Sequence, residues 1–338
     1  MKQVKTERAV EQTGRYYRDI CRMTVPLLCM AVYYYGLRPL AMCAVAMLLA
    51  NLCDRAVCVL RQRPYVKDDF SNESFALVIA LLLPASCHWY VLAAAVLAGV
   101  LIGKEVFGGY GSYPFHPAAV GYTFAAISWP GQVFRYPAPH TMLPLGTVGD
   151  IVYTEGISGT LKNGGLPMTD TLDLLLGNYA GPMGATAALV ILSCTLFLLV
   201  RRDIHIETPL CFVLVCALVA FLFPRQADLL GTGILETLPQ RLTVVRYELL
   251  SGAVLFGAVF LLCEPYTTPR NSTGRAVYGL LLGAVAMGFR YFGVYETGMC
   301  FGLLAVNSIS GWLDRFVARL RGGYRVRTVN PGGADHES

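Results

Sequence analysis

Charge is what this 338-residue chain has least of: 14% of its residues are Asp, Glu, Lys or Arg, against 55% hydrophobic. Soluble domains carry about 25% charged residues. So little charge cannot cover a water-facing surface, which excludes an ordinary soluble domain and makes a membrane protein the first reading. Also missing is any CxxC pair. The eleven cysteines (Cys21, Cys29, Cys43, Cys53, Cys58, Cys87, Cys194, Cys211, Cys216, Cys263, Cys300) are scattered, mostly inside apolar runs. They read as small buried hydrophobes, not as an iron–sulfur or zinc site made by this chain alone. A cluster shared with a cysteine from another protein stays open. No Walker spacing and no dinucleotide fingerprint occurs, so the chain is not expected to turn over NAD by itself. The basic N-terminus lacks a short apolar core with a small-residue cleavage site, so no cleaved signal peptide is expected.

What is present is a series of apolar runs, at roughly 24–37, 39–53, 74–87, 89–103, 115–130, 184–200, 209–224, 245–263, 275–289 and 298–313. These are ten candidate spans, several shorter than the ~20 residues of a straight crossing. Interruptions at Pro84, Pro117 and Gly252 point to broken helices around an internal site. The net charge of +5 is unevenly spread. With ten spans, one side collects the Lys2–Arg22 cluster, Arg61, Arg63, Lys67, Arg201, Arg202, Arg270, Arg275 and five arginines from Arg315 to Arg327. The long segment 131–183, on the other side, sets Arg135 and Lys162 against Asp150, Glu155, Asp170 and Asp173. The positive-inside rule then puts both termini in the cytoplasm and 131–183 outside.

The stretch beginning "SFALVIALLLP" at Ser74 weakly resembles the one beginning "SGAVLFGAVFLLCEP" at Ser251. Each ends in Phe-Gly-x-Tyr, at Phe107–Tyr110 and Phe292–Tyr295. The expected fold class is an all-α polytopic membrane protein of about ten transmembrane helices in two inverted five-helix repeats. Its parts are a cytoplasmic segment 1–23, a first repeat 24–130, an external loop 131–183, a second repeat 184–313 and a basic cytoplasmic tail 314–338.

Four features are candidates for chemistry. "GKEVFGGYGSYPFHPAAVGY", 103–122, has glycines that let backbone approach backbone or a flat ligand, and prolines that block a continuous helix. His116 reads as packing or a local hydrogen bond rather than metal ligation. Glu248, Glu264 and Arg290 fall near span ends, where intramembrane or interfacial placement stays open. "TEGISGTLKNGG", 154–165, has no stripe to face a core and reads as a flexible Gly-Ser-Gly-Thr surface turn exposing the Thr160 hydroxyl. Nothing nearby activates Thr160, so another protein would have to act on it.

The blocks "GKEVFGGYGSYPFHPA", "EGISGTLKNGG", "LLLGNYAGPMGATAAL", "LLSGAVLFGAVFLLCEPYTTPRNSTGRAVYG" and "RYFGVYETGMCFGLLAVN", in this order, resemble the RnfD/NqrB family over roughly 15–320. These are subunits of the Rnf ferredoxin:NAD oxidoreductase and of the sodium-pumping NADH:quinone reductase. The resemblance implies a subunit of an electron-transfer complex in the bacterial plasma membrane that moves Na⁺ or H⁺ and is inactive without its partner subunits. It implies FMN bound covalently through a threonine phosphodiester, attached outside by a flavin transferase, with membrane lipid and no nucleic acid as the other surroundings. In the family motif Asp-Gly-x-Ser/Thr-Gly-Ala-Thr, Glu155 replaces the Asp, while Gly156, Ser158 and Gly159 match. The alanine is missing, so Thr160 follows Gly159 directly. Either Thr160 carries the flavin in a shortened loop, or the attachment site is deleted and Thr160 is a remnant of its flank. Thr186, in "MGATAAL", matches a different block. Tyr113 and His116 stand where the family usually has asparagines. The alternatives are a flavin-free channel-like or transporter-like protein, or a scaffold, of the same fold.

Overall fold

The computed structural model describes residues 2–62, 70–146, 148–149, 151–226, 233, 236–295 and 297–320, and the side chains among these other than those of 2–12, 314, 317, 318 and 320. Arg63, Lys67, Asp150, Arg321, Arg325, Arg327 and most of the segment 314–338 lie outside the described residues. The described chain is all-α apart from a two-residue antiparallel ladder pairing Tyr136 with Thr154 and Pro137 with Tyr153.

Each of the ten apolar runs carries a helix. The first five are α1 (Lys2–Tyr35), α2 (Arg38–Leu60), α3 (Ser71–Leu82), α4 (Trp89–Ala98), continued by a π-helix (Gly99–Glu105), and α5 (Pro117–Ser128). The linking segment holds short helices α6 (Pro130–Val133), α7 (Ile157–Lys162) and α8 (Thr171–Leu176). The remaining runs form α9 (Ala188–Val200), α10 (Glu207–Leu222), α11 (Leu238–Leu250) with α12 (Val254–Phe260), α13 (Ser272–Phe292) and α14 (Met299–Leu320). Among the described residues only α2 is long and apolar enough to cross a membrane unbroken; α11 and α12 meet the same measure together, bent by 47°.

The three expected interruptions behave differently. Pro84 follows the end of α3, and Pro117 opens α5, where its missing N–H costs nothing. Only Gly252 divides a run with helix on both sides. Its φ is +63°, and a Cβ there would collide with Ser158 Oγ, so both backbone and space require glycine. The carbonyls freed after α3 are satisfied by a buried guanidinium. Arg38 donates to Ala85 O (2.9 Å), Cys87 O (3.0 Å), Pro144 O (2.7 Å) and Gly146 O (2.6 Å), pinning the linking segment onto the α3–α4 break.

Glycines in the π-helix serve packing. A Cβ on Gly103 would lie 2.9 Å from Pro117 Cα, so the backbones of the π-helix and α5 touch. His116 caps α5, its Nδ1 accepting from Ala118 N at 3.2 Å, and its ring meets Phe75 edge-on at 5.5 Å. It takes the local, packed role expected of it.

Polar contacts between distant segments fall into two sets, termed rims after the sides to which the charge pattern assigns their segments. At one, Arg15 meets Asp203 (3.0 Å), Arg201 meets Asp19 (2.8 Å), Arg275 meets Glu207 (3.2 Å) and Arg61 donates to Glu105 O (2.8 Å). At the other, Tyr34 donates to Leu176 O (3.2 Å), Tyr247 to Thr169 O (2.8 Å) and Lys162 to Gly293 O (2.8 Å). Every contact in the first set joins segments assigned to one side by the charge pattern, and every contact in the second joins segments assigned to the other.

Candidate functional site

The segment 154–165 is not a flexible turn. Ile157 and Leu161, four apart, form a short stripe that is 5% and 1% exposed and packs with Leu174, Tyr179 and Tyr247. That stripe folds residues 157–162 into α7, with Gly156 as its N-cap. Gly156 sits tightly: a Cβ would lie 3.0 Å from the ring of Tyr136.

α7 turns its hydroxyls in different directions. Ser158 is 4% exposed, and its Oγ accepts from Arg290 Nη2 at 2.9 Å. Arg290 Nη2 also donates to Ser251 Oγ (3.0 Å), and its Nε lies 2.8 Å from Glu248 Oε2. Arg225 Nε lies 3.1 Å from the other oxygen, Glu248 Oε1. Two guanidiniums thus share one buried carboxylate, and the Arg225 guanidinium covers the Tyr291 ring at 4.5 Å. Gly159 is buried, its carbonyl accepting from Asn163 N. Thr160 is half-buried, and its hydroxyl makes one long bond, 3.3 Å, to Gly156 O. Lys162 donates to the carbonyls of Gly293 and Val294, tying α7 to the end of α13.

The sequence placed Gly156, Ser158, Gly159 and Thr160 in one site, and the structure does bring them onto one short helix. It separates them by access. The Ser158 hydroxyl is committed to Arg290, and Thr186 is 3% exposed, whereas Thr160 is half-buried and Thr154 exposed. Glu248 and Arg290, left open as interfacial groups, are 1% and 2% exposed and face each other. Arg225 completes the pair and was not anticipated; the signal was its place directly after an apolar run, in "FLFPRQ".

FMN needs a reachable hydroxyl for its phosphate and a surface for its ring. Thr160 meets the first need, because a 3.3 Å bond to a carbonyl is readily surrendered. Beside it, the void between Gly156, Ser158, Tyr179 and Ser251 measures about 10 Å³, the room of one water. Exposed apolar side chains do flank the anchor of Lys162, with Phe292 at 92% and Val294 at 85%.

A second charged centre lies at the opposite rim. Lys104 is 1% exposed, with Nζ 2.7 Å from Asn72 Oδ1, 3.1 Å from Ser71 Oγ and 3.4 Å from Asp54 Oδ1. Nearby, Glu264 accepts from the hydroxyls of Tyr17 (2.6 Å) and Tyr113 (2.8 Å) and from the backbone N–H of Tyr266 (3.0 Å) and Thr267 (2.7 Å). Tyr113, where the family usually has asparagine, therefore holds a carboxylate.

Beyond the apolar runs at this rim, Asp19 and Asp203 face three arginines. Burial raises the Asp203 carboxyl and its neighbour Asp19 adds to the rise. Burial would raise Asp19 as well, but Asp203, Arg201 and Arg22 together lower it. Glu207 is lowered likewise: its backbone N–H, Ser272 and Arg275 outweigh burial.

Apolar helices holding buried charge define an all-α protein. The chain matches the NQR2, RnfD, RnfE family over residues 5–323 and belongs to it. Its relatives include the D subunit of the ion-translocating oxidoreductase complex of Actinobacillus succinogenes, 29% identical over 340 residues that cover 90% of this chain and 92% of the relative. The corresponding D subunit of Pseudomonas aeruginosa is also 29% identical, covering 94% of each chain. That of Colwellia psychrerythraea is 26% identical, covering 90% and 92%.

Proposed function

We propose that the chain is the D-type membrane component of an ion-translocating redox complex, built of two inverted halves, 24–130 and 184–313, around the linking segment 131–183. Family membership over 5–323 carries this reading. The rim contacts support its orientation: the rim of Arg15, Arg201 and Arg275 is cytoplasmic, and that of α7 and α8 is external. Both termini then lie in the cytoplasm of a bacterial cell with the chain in the plasma membrane. The complex couples ferredoxin/NAD chemistry to movement of Na⁺ or H⁺, and this chain acts only with its partners.

The two charged centres support the repeat. Counted from Ser74 and Ser251, Ser71 matches Glu248; counted back from Phe107 and Phe292, Glu105 matches Arg290. Each centre therefore sits where one helix run begins and the next ends, once at each rim, as inversion requires.

FMN esterified to Thr160 is the cofactor of this reading. Bound there, it supplies one-electron and two-electron carriage. The chain's own part is to hold the hydroxyl outward on α7, with Lys162 fixing that helix to 293–294 and a flavin transferase making the bond. Flavin fluorescence of the denatured chain after co-expression with a transferase tests it. One FMN, less one water, should appear on the Thr160 peptide, and Thr160→Ala should abolish it while Thr154→Ala and Thr186→Ala retain it. Fluorescence that survives Thr160→Ala would move the site. A second reading, a flavin-free protein of the same fold, is favoured by the missing alanine and by the small void beside Ser158. A parent chain without flavin would establish it.

A further inference from the structure

Away from α7, at the rim assigned to the cytoplasm, lies a cavity of about 330 Å³ between α1, the segment before α10 and the segment before α13. Its walls include Arg270, Arg275, His205, Thr268 and Asp203. The volume exceeds what a few ordered waters occupy and takes a phosphate with a glycerol-sized ester.

The charges around it are unevenly matched. Asp203 is neutralised by Arg15 at 3.0 Å, and Asp19 by Arg22 (2.6 Å) and Arg201 (2.8 Å). Glu207 accepts from Arg275 Nη2 (3.2 Å) and Ser272 Oγ (2.9 Å). Arg275 Nη1 donates to the Arg270 carbonyl (3.1 Å), which leaves its Nε buried without a partner. The Arg270 guanidinium is exposed and faces no carboxylate within ion-pair distance among the described residues. Five arginines thus surround three carboxylates, and the surplus borders the opening. Asp203 Oδ2 is buried without a hydrogen-bond partner, 3.9 Å from Arg201 Nε, so the anion-binding side of the opening is that of Arg270 and Arg275, where an anion meets the Arg270 guanidinium.

We infer that this cavity binds a phosphate-bearing anion through Arg270 and Arg275. Two sources carry that chemistry at a cytoplasmic rim: the headgroup of an anionic phospholipid, and soluble phosphate. The inference rests on the proposed orientation only for the choice of source and is independent of the flavin.

Thermal unfolding of the full chain in neutral detergent tests it, with phosphatidylglycerol, diacylglycerol or inorganic phosphate added. Phosphatidylglycerol or phosphate should raise the unfolding temperature, and diacylglycerol should not. A shift with phosphatidylglycerol alone assigns the site to lipid, and a shift with inorganic phosphate assigns it to a soluble anion. In either case Arg270→Gln should weaken the apparent affinity about tenfold, the loss of one charge-assisted hydrogen bond. Arg275→Lys, which keeps a charge for Glu207 but removes the fork, should weaken it less. Arg319→Gln, on the exposed last turn of α14, controls for diffuse attraction to a basic surface. No shift with either phosphate compound overturns the inference. So does a shift that persists in Arg270→Gln, or one that Arg319→Gln lowers equally.

Discussion

The two buried charge centres lie at opposite rims and carry opposite balances. Around Lys104 stand two carboxylates, Asp54 and Glu105, 6% and 7% exposed, and the cation is met by neutral acceptors from Ser71 and Asn72. Around Glu248 stand two guanidiniums, and the spare donors of Arg290 reach Ser251 and, across the linking segment, Ser158. The first centre joins α2, α3 and the π-helix. The second holds α7 in place through a positive charge it does not need for Glu248. In the proposed inverted repeat, the first corner therefore joins helices of one half, and the second also docks α7 of the linking segment.

Breaking the second centre should cost the most. Arg290→Ala leaves Glu248 beside Arg225 alone and Ser158 with only its 3.4 Å contact to Ser251, and should destabilise the chain by about 3–5 kcal/mol. Denaturant or thermal unfolding in detergent measures it. The same assay on Lys104→Met should show less, about 1.5–3 kcal/mol, because Met refills the space of the Lys104 stem whereas Ala at 290 leaves a cavity. Equal losses would mean that the two corners do the same work. Ser158→Ala removes one hydrogen bond to a charged group that retains others, at about 1 kcal/mol. Its effect should be local: faster amide exchange in 156–163 with exchange in α3 unchanged. Slow exchange in both would show that Ile157, Leu161 and Lys162 hold α7 without Ser158.

The smallest effect concerns pH at the rim of Arg15 and Arg275. Glu207 lies below its ordinary value of 4.5 in the folded chain. A lowered carboxyl adds stability above that value, and the contribution is lost as pH falls through the folded value. Glu207→Gln should therefore lower the unfolding temperature slightly at neutral pH and have no effect well below about pH 4. A difference that grows on acidification would reverse the assignment.

Much of the scaffold was legible because apolar runs are local. Each of the ten runs carries a helix. The division at Gly252 was visible because glycine has one conformational meaning there. The centres were less legible, since their members are distant in sequence: Arg290 reaches back 132 residues to Ser158, and Tyr17 lies 247 from Glu264. α7 was misread for a different reason. The glycines in "TEGISGTLKNGG" outweighed Ile157 and Leu161, two apolar residues whose partners, Leu174, Tyr179 and Tyr247, come later in the chain. Tertiary burial there overrode local propensity.

The π-helix at Gly99–Glu105 gives α4 a residue more than an α-helix of the same span would need. That surplus is slack in the gene as well as in the helix. Removing Leu101 or Ile102, which are 37% and 49% exposed, lets the segment relax to ordinary α-helix while Ala98 and Lys104 keep their faces. α5 has no such spare residue. A single deletion between its ends would turn the remainder by about 100° and take Tyr122 off Thr297, its partner at 3.2 Å. Of two adjacent helices in close backbone contact, one can lose a codon and the other cannot.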